Sequence, residues 1–167
     1  MVRDSHSIHW EKIKSPTRAA IESAPSEGLS RAELLHNLLR AEILERWPDS
    51  TLETWVMTVE QNQTSTKDKN SGTDKASGKF LAGLKGVRHW NWFYLTHLWT
   101  APEARKQGFA QRLIQELISR AREENLAGIY VDTFDAQEFY LKLGFQMLGQ
   151  LPGFPEGGVR SWLYLKL

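Results

Sequence analysis

Cysteine is absent from all 167 residues, which excludes disulfides, thiolate metal ligands and a cysteine nucleophile together. Long apolar runs are missing as well. None exceeds four residues, as at Trp92 to Leu95, so no segment reads as a bilayer-spanning helix. The stretch from Met1 to Lys14 is polar and lacks the apolar core of a secretory signal. Charge of one sign is lacking too: 21 Lys plus Arg stand against 20 Asp plus Glu, a formal net charge of +1. No strong global field therefore draws nucleic acid or an anionic membrane. Nothing repeats at the spacing of a solenoid or propeller. The expectation is a cytoplasmic protein with neither nucleic acid nor membrane as partner.

What is present is ordinary for a globular chain: 41% hydrophobic and 25% charged residues, over a length that suits one domain with a sizeable core. Residues 1–167 are read as a single domain. Gln61 to Lys79 stands apart, with Ala76 its only apolar residue, and reads as a mobile polar loop because it buries too little to offset its ordering entropy. Its four lysines against Asp68 and Asp74 fit a solvated loop better than a site for an acidic partner. Gly72 and Gly78-Lys79 imitate a phosphate-binding loop, but the spacing is one residue too long and Phe80 stands where Ser or Thr is required.

The remainder alternates between helical and strand patterns. Ser30 opens a helix as a capping box with Glu33, and Leu34, Leu35, Leu38 and Leu39 form its apolar stripe up to Trp47-Pro48. Thr54 to Glu60 alternates Trp55, Met57 and Val59 against polar residues, a half-buried strand. Phe80 to Val87 and Trp92 to Trp99 make a hairpin turning at Arg88 to Asn91. Ala127 to Asp132, Gly144 to Leu148 and Trp162 to Leu167 are further strands. Ala110, Leu113, Ile114, Leu117, Ile118 and Ala121 fall at helical spacing. His6 and His9 are placed in a frayed tail. The resulting class is α/β: a mixed, mostly antiparallel sheet flanked by helices, with a right-handed βαβ unit in the C-terminal half.

The stretch from Trp99 to Leu113 carries the strongest chemical signal. A strand ends at Thr100, Ala101-Pro102-Glu103 turns, and Arg105-Lys106-Gln107-Gly108-Phe109-Ala110 leads into the long helix. Free amides at a helix start, with Arg105 and Lys106 beside them, form an anion site suited to phosphate or pyrophosphate. Ordinary turn chemistry accounts for the same local pattern equally well.

Arg105-x-x-Gly108-x-Ala110 between a strand and a long helix resembles the acetyl-CoA loop of the GNAT N-acetyltransferases. Downstream, Ala136-Gln137-Glu138-Phe139-Tyr140-Leu141-Lys142-Leu143-Gly144-Phe145 is similar to the same family's Ala-x-x-Phe-Tyr-x-Lys-x-Gly-Phe. Leu95 to Leu98 and Asp132-Thr133-Phe134 resemble a small-molecule subgroup, the streptothricin acetyltransferases. The motif-bearing part is 80–167. The resemblance implies a GNAT acyl-CoA N-acyltransferase fold with strands splayed at the cofactor gap. It also implies acetyl-CoA as co-substrate, with pantetheine along Leu98, Trp99 and Thr100 and pyrophosphate on the amides of Arg105, Lys106, Gln107, Gly108, Phe109 and Ala110. Tyr140 would protonate the departing thiolate. Thr133 stands where many relatives carry Asn, and its hydroxyl keeps a contact to pantetheine. The resemblance admits a homodimer, and no residue pattern fixes the oligomeric state.

With no cysteine and no Gly-x-Ser-x-Gly elbow, transfer is expected to be direct, from the thioester to a neutral amine. Deprotonating a lysine-like amine near pH 7 costs about 4.6 kcal/mol, so a proton acceptor is needed. The candidates are His97, which in-strand alternation could also turn into the helix-covered core, Asp132, Glu103 or a water chain. Trp90, Trp92 and Trp99 suit either an aromatic pocket for a cationic amine or plain packing. Glu156, in the turn Gly153 to Gly158, reads as an amine contact or an exposed turn. No metal is expected. The leading expectation is an N-acetyltransferase acting on the primary amine of a small molecule. The alternatives are a peptide or protein amine acetyltransferase and a non-catalytic acyl-CoA-binding module.

Overall fold

The computed structural model describes residues 6–14, 30–46, 52–61 and 79–167. Seven strands form one sheet in the order β1-β2-β3-β4-β5-β7-β6. They are β1 (His6–Lys14), β2 (Leu52–Gln61), β3 (Lys79–His89), β4 (Trp92–Thr100), β5 (Gly128–Thr133), β6 (Gln146–Pro152) and β7 (Val159–Lys166). Every neighbouring pair is antiparallel except β4 and β5. The α-helices are α1 (Arg31–Arg46), α2 (Phe109–Glu123) and α3 (Gln137–Lys142). The mixed α/β class and the βαβ unit formed by β4, α2 and β5 match expectation. None of the described helices is long and apolar enough to cross a membrane.

Alternation along the strands sends one set of side chains to a common core. Trp55, Met57 and Val59 of β2, Leu84 of β3, Phe93 and Leu95 of β4, Ile129 and Val131 of β5 and Leu163 of β7 are all buried. The fully buried stripe of α2, namely Leu113, Ile114, Leu117 and Ala121, packs over β3, β4 and β5, as helical spacing requires. The opposite face carries Trp92 and Tyr94 of β4, Tyr130 and Asp132 of β5, and Arg160, Trp162 and Tyr164 of β7. Their rings form contacts of their own, including a parallel stack of Tyr94 on Tyr130 at 4.7 Å.

One expectation fails. His6 and His9 belong not to a frayed tail but to edge strand β1, paired with β2 along its whole length. Ile8 and Trp10 pack onto the core, and polar residues between them mask the alternation. The capping box of α1 is present, with Glu33 Oε2 accepting from the Ser30 amide at 2.8 Å and Ser30 Oγ accepting from the Glu33 amide at 3.3 Å. Of its leucine stripe, Leu35, Leu38 and Leu39 are exposed. Helical periodicity encodes an apolar face, not a partner for it. The polar loop read over 61–79, like the helix end at Trp47-Pro48, lies almost wholly outside the described residues.

Candidate functional site

The parallel pairing of β4 with β5 covers four residue pairs, Trp92 to Leu95 against Gly128 to Val131. β4 then runs on to Thr100 and β5 to Thr133 without pairing, each still held on its other side by β3 or β7. The backbone edge of Leu98 to Thr100 that faces away from β3 therefore has no partner strand, as at an open sheet edge that can take an extended amide chain. The expected splay is present.

A bulge helps to make it. Between Lys85 and Gly86 of β3 the register shifts, so that Lys85 faces His97 while Gly86 faces Leu95. Thr96 is the extra residue, and its hydroxyl donates to Lys85 O at 2.9 Å. One extra residue inverts the alternation of everything that follows. Leu98 and Thr100 now face the α2 side, opposite Leu84 and Ala82, while His97 and Trp99 turn to the other face, exposed. His97 thus does not enter the helix-covered core. Its Nδ1 lies 2.8 Å from Thr96 Oγ1. Trp99 stacks on Phe80 at 5.4 Å, and Trp92 lies against Tyr130 and Tyr164.

The gap opens onto the loop before α2. Pro102–Ala104 form a single 3-10 turn. Lys106 (φ 61°) and Gly108 (φ 84°) then both adopt left-handed backbone, which turns successive amides toward one concavity. The first bond into the helix is from the Arg112 amide to Gly108 O at 3.0 Å. The amides of Phe109, Ala110 and Gln111 thus emerge from the helix start without intrahelical partners, and no side chain caps them. A cleft of about 370 Å³ lies here, lined by Thr100, Ala104, Arg105 to Lys106, Gly108 to Gln111, and Phe139. A Cβ on Gly108 would meet nothing within 4 Å, so the glycine meets a conformational need and leaves the concavity open. Arg105 Nε bonds back to Thr100 O at 3.3 Å, and Gln107 braces the loop through Glu103 O at 2.9 Å.

Tyr140 projects from α3 and is buried beside Phe139 and Phe145. Burial, with the Asp132 carboxylate second, pushes its hydroxyl up to about 12, so it stays a proton donor throughout the ordinary pH range. Thr133 accepts the Ala136 amide at 3.1 Å, which starts α3 and leaves the Thr133 O–H free to donate.

Asp132 is the first residue of β5 past the parallel pairs. Its Oδ1 accepts the Tyr94 hydroxyl. Its Oδ2 takes Arg160 Nε at 2.6 Å and Nη2 at 2.5 Å. A carboxylate with both oxygens so engaged is suited to orienting its neighbours. Burial first, then the bond to Asp132, pushes the Tyr94 hydroxyl up to about 12. Glu103 lies apart, exposed and paired with Lys79 at 2.7 Å. The hydrogen bond from Lys79 keeps its carboxyl below the usual range. Glu156 sits in the exposed turn closed by the Gly153 amide on Gly158 O at 2.8 Å. Asp132 thus lies just past the parallel pairs and near enough to Tyr140 to act on its hydroxyl, while Glu103 is paired with Lys79. Sequence reasoning did not single out Tyr94 or Arg160. Their only signals were an aromatic within a strand and a lone arginine in the last one.

Comparison with known proteins agrees with this geometry. A family model described as the acetyltransferase (GNAT) family matches residues 32–145. Over 92 residues the chain is 36% identical to the blasticidin-S acetyltransferase of Streptomyces morookaense, a match spanning 53% of this chain and 67% of that protein. Among solved structures, an acetyltransferase from Bacillus cereus ATCC 14579 superposes with a TM-score of 0.68 at 20% identity, over 87% of this chain and 99% of that one. An aminoglycoside 6'-N-acetyltransferase complexed with coenzyme A does so at 0.50 and 15% identity, over 78% of this chain and 79% of that one. These two structures share the fold.

Proposed function

The chain belongs to the GNAT acetyltransferase family, and from that premise we propose that it moves the acetyl group of acetyl-CoA directly onto a primary amine of a small molecule. The observation that carries this reading is the continuity between the unpaired edge of Leu98 to Thr100 and the uncapped amides before α2. A pantetheine arm laid along that edge delivers its pyrophosphate to the amides of Arg105 to Ala110, with Arg105 and Lys106 adding charge. The likeness to an enzyme named for acetylating blasticidin S supports a small-molecule acceptor over a protein amine.

Tyr140 and Asp132 divide the work by face. Alternation sets Asp132 on the face opposite Val131, whereas Tyr140 is buried in the helix-covered core. The thioester carbonyl would lie between them. The amine arrives from the side of Asp132, Tyr94 and the exposed His97. It loses its proton to His97 or to water, and its nitrogen bonds the carbonyl carbon as the C–S bond breaks. The sulfur leaves toward Tyr140, whose O–H donates to it. The second proton lost by nitrogen as the amide forms returns to Tyr140 through water, so Tyr140 ends unchanged and the thiol carries one proton. Asp132 orients Tyr94 rather than serving as the base.

Thermal unfolding with and without acetyl-CoA tests the site. At about 100 times the dissociation constant the shift should be about 2.7 kcal/mol, or roughly 5–10 °C for this size. Thiol release across a panel of small amines tests the transfer. A shift without turnover on any amine would leave a cofactor-binding module, and no shift at millimolar acetyl-CoA would overturn the reading altogether.

A further inference from the structure

We propose that Phe134 and Phe154 form a ring-binding wall of the acceptor site, so that the preferred acceptor is an amine carrying a planar apolar group. Phe134 follows Thr133 directly after β5, and Phe154 lies in the turn between β6 and β7. Their rings meet edge to face at 6.2 Å, and the Arg160 guanidinium lies 5.2 Å from the centroid of each. The same guanidinium holds Asp132, and Asp132 holds Tyr94. The two rings are thus joined by an unbroken run of contacts to the carboxylate at the mouth of the gap. This inference rests on the proposal that the acceptor amine meets the thioester at that mouth.

The rings are nonetheless 48% and 47% exposed. A cation–π contact with one arginine occupies only part of a ring, and what remains here is flat apolar surface. The adjoining cation is itself paired with Asp132. The surface suits a planar apolar group, which two rings set edge to face can receive by stacking on one and meeting the edge of the other. Trp162, with its ring 5.4 Å from the same guanidinium, fixes Arg160 from the sheet side.

The test is calorimetric titration of the full chain, with CoA present, using phenethylamine and cyclohexylethylamine, which differ in the planarity of one ring. Phenethylamine should bind about tenfold more tightly. Phe134→Leu and Phe154→Leu should each bring that ratio toward one with the CoA affinity unchanged. Both residues are half exposed, and an unchanged Tm would show that each variant folds. Equal affinity for the two amines, binding of neither, or an undiminished ratio in both variants would overturn the proposal. Thiol release measured in parallel separates the two readings. Discrimination in binding without turnover would sink the transferase assignment and leave the wall standing. Acetylation of both amines with equal KM would do the reverse.

Discussion

Arg160 grips Asp132 through one carboxylate oxygen, Oδ2, with Nε at 2.6 Å and Nη2 at 2.5 Å, and leaves Oδ1 to the Tyr94 hydroxyl. The two residues come from neighbouring strands, two residues out of register, because Asp132 itself pairs with Trp162. Asp132 is nearly enclosed, with its side chain 9% exposed, so removing Arg160 leaves a buried carboxylate without its cationic partner. Arg160→Met should cost about 2 kcal/mol in urea unfolding, and Arg160→Lys should recover part of it. A Met variant as stable as the parent would show that the pair contributes nothing net.

Gly108 occupies left-handed backbone in open space. Gly108→Ala should therefore destabilise the unliganded chain by roughly 1 kcal/mol, from backbone strain alone. The larger effect should fall on the thermal shift produced by acetyl-CoA, since the Cβ enters the concavity where phosphate would sit. A shift equal to that of the parent protein would move the pyrophosphate site elsewhere.

Removal of the Tyr140 hydroxyl separates acid catalysis from binding. Tyr140→Phe should lower kcat about a hundredfold and leave the acetyl-CoA shift intact. With the hydroxyl pushed up to about 12, its ionisation lies beyond the working range. Turnover should climb as the acceptor amine loses its proton and should not fall again below about pH 10 through loss of the Tyr140 proton. A basic limb near pH 9 that vanishes in Tyr140→Phe would contradict this.

A charge network at the end of α2 ties edge strand β1 to the body. Lys12 reaches Glu124 at 2.6 Å and Glu53 at 3.5 Å, while Arg88 lies 3.1 Å from Glu124. The hydrogen bond from Lys12 holds the Glu124 carboxyl below its ordinary 4.5, against burial, with Arg88 adding to the effect. A carboxyl lowered on folding contributes stability above its unfolded value and loses it as pH falls through the folded one. Glu124→Gln should therefore unfold at lower urea than the parent at pH 7, and the two midpoints should converge as pH falls below the ordinary 4.5. A constant difference would assign the loss to packing.

Much of this architecture is legible in the residues. The alternation of Trp55, Met57 and Val59, the helical spacing from Leu113 to Ala121 and the loop from Arg105 to Ala110 each state their element and its buried face. The legible parts share a property: their signal is local. The face of His97 is not local, because a bulge at Thr96 inverts the strand and nothing in the five residues around it announces the inversion. Strand β1 is hidden for a related reason, since its stability comes from pairing with β2, a partner distant in sequence. Arg160 and Tyr94 escape notice because their value lies in meeting Asp132 across three strands.

The short parallel pairing described above has a mechanical side. Four residue pairs are all that joins the block β1 to β4 with the block β5 to β7 through the sheet. The sheet is thus two rafts moored along one brief seam, with α2 laid across both and the gap between them forming the site. A bound arm that bonds to Leu98 and Thr100 acts as a second mooring line. Hydrogen exchange should therefore slow on both rafts at once, well beyond the residues the ligand touches.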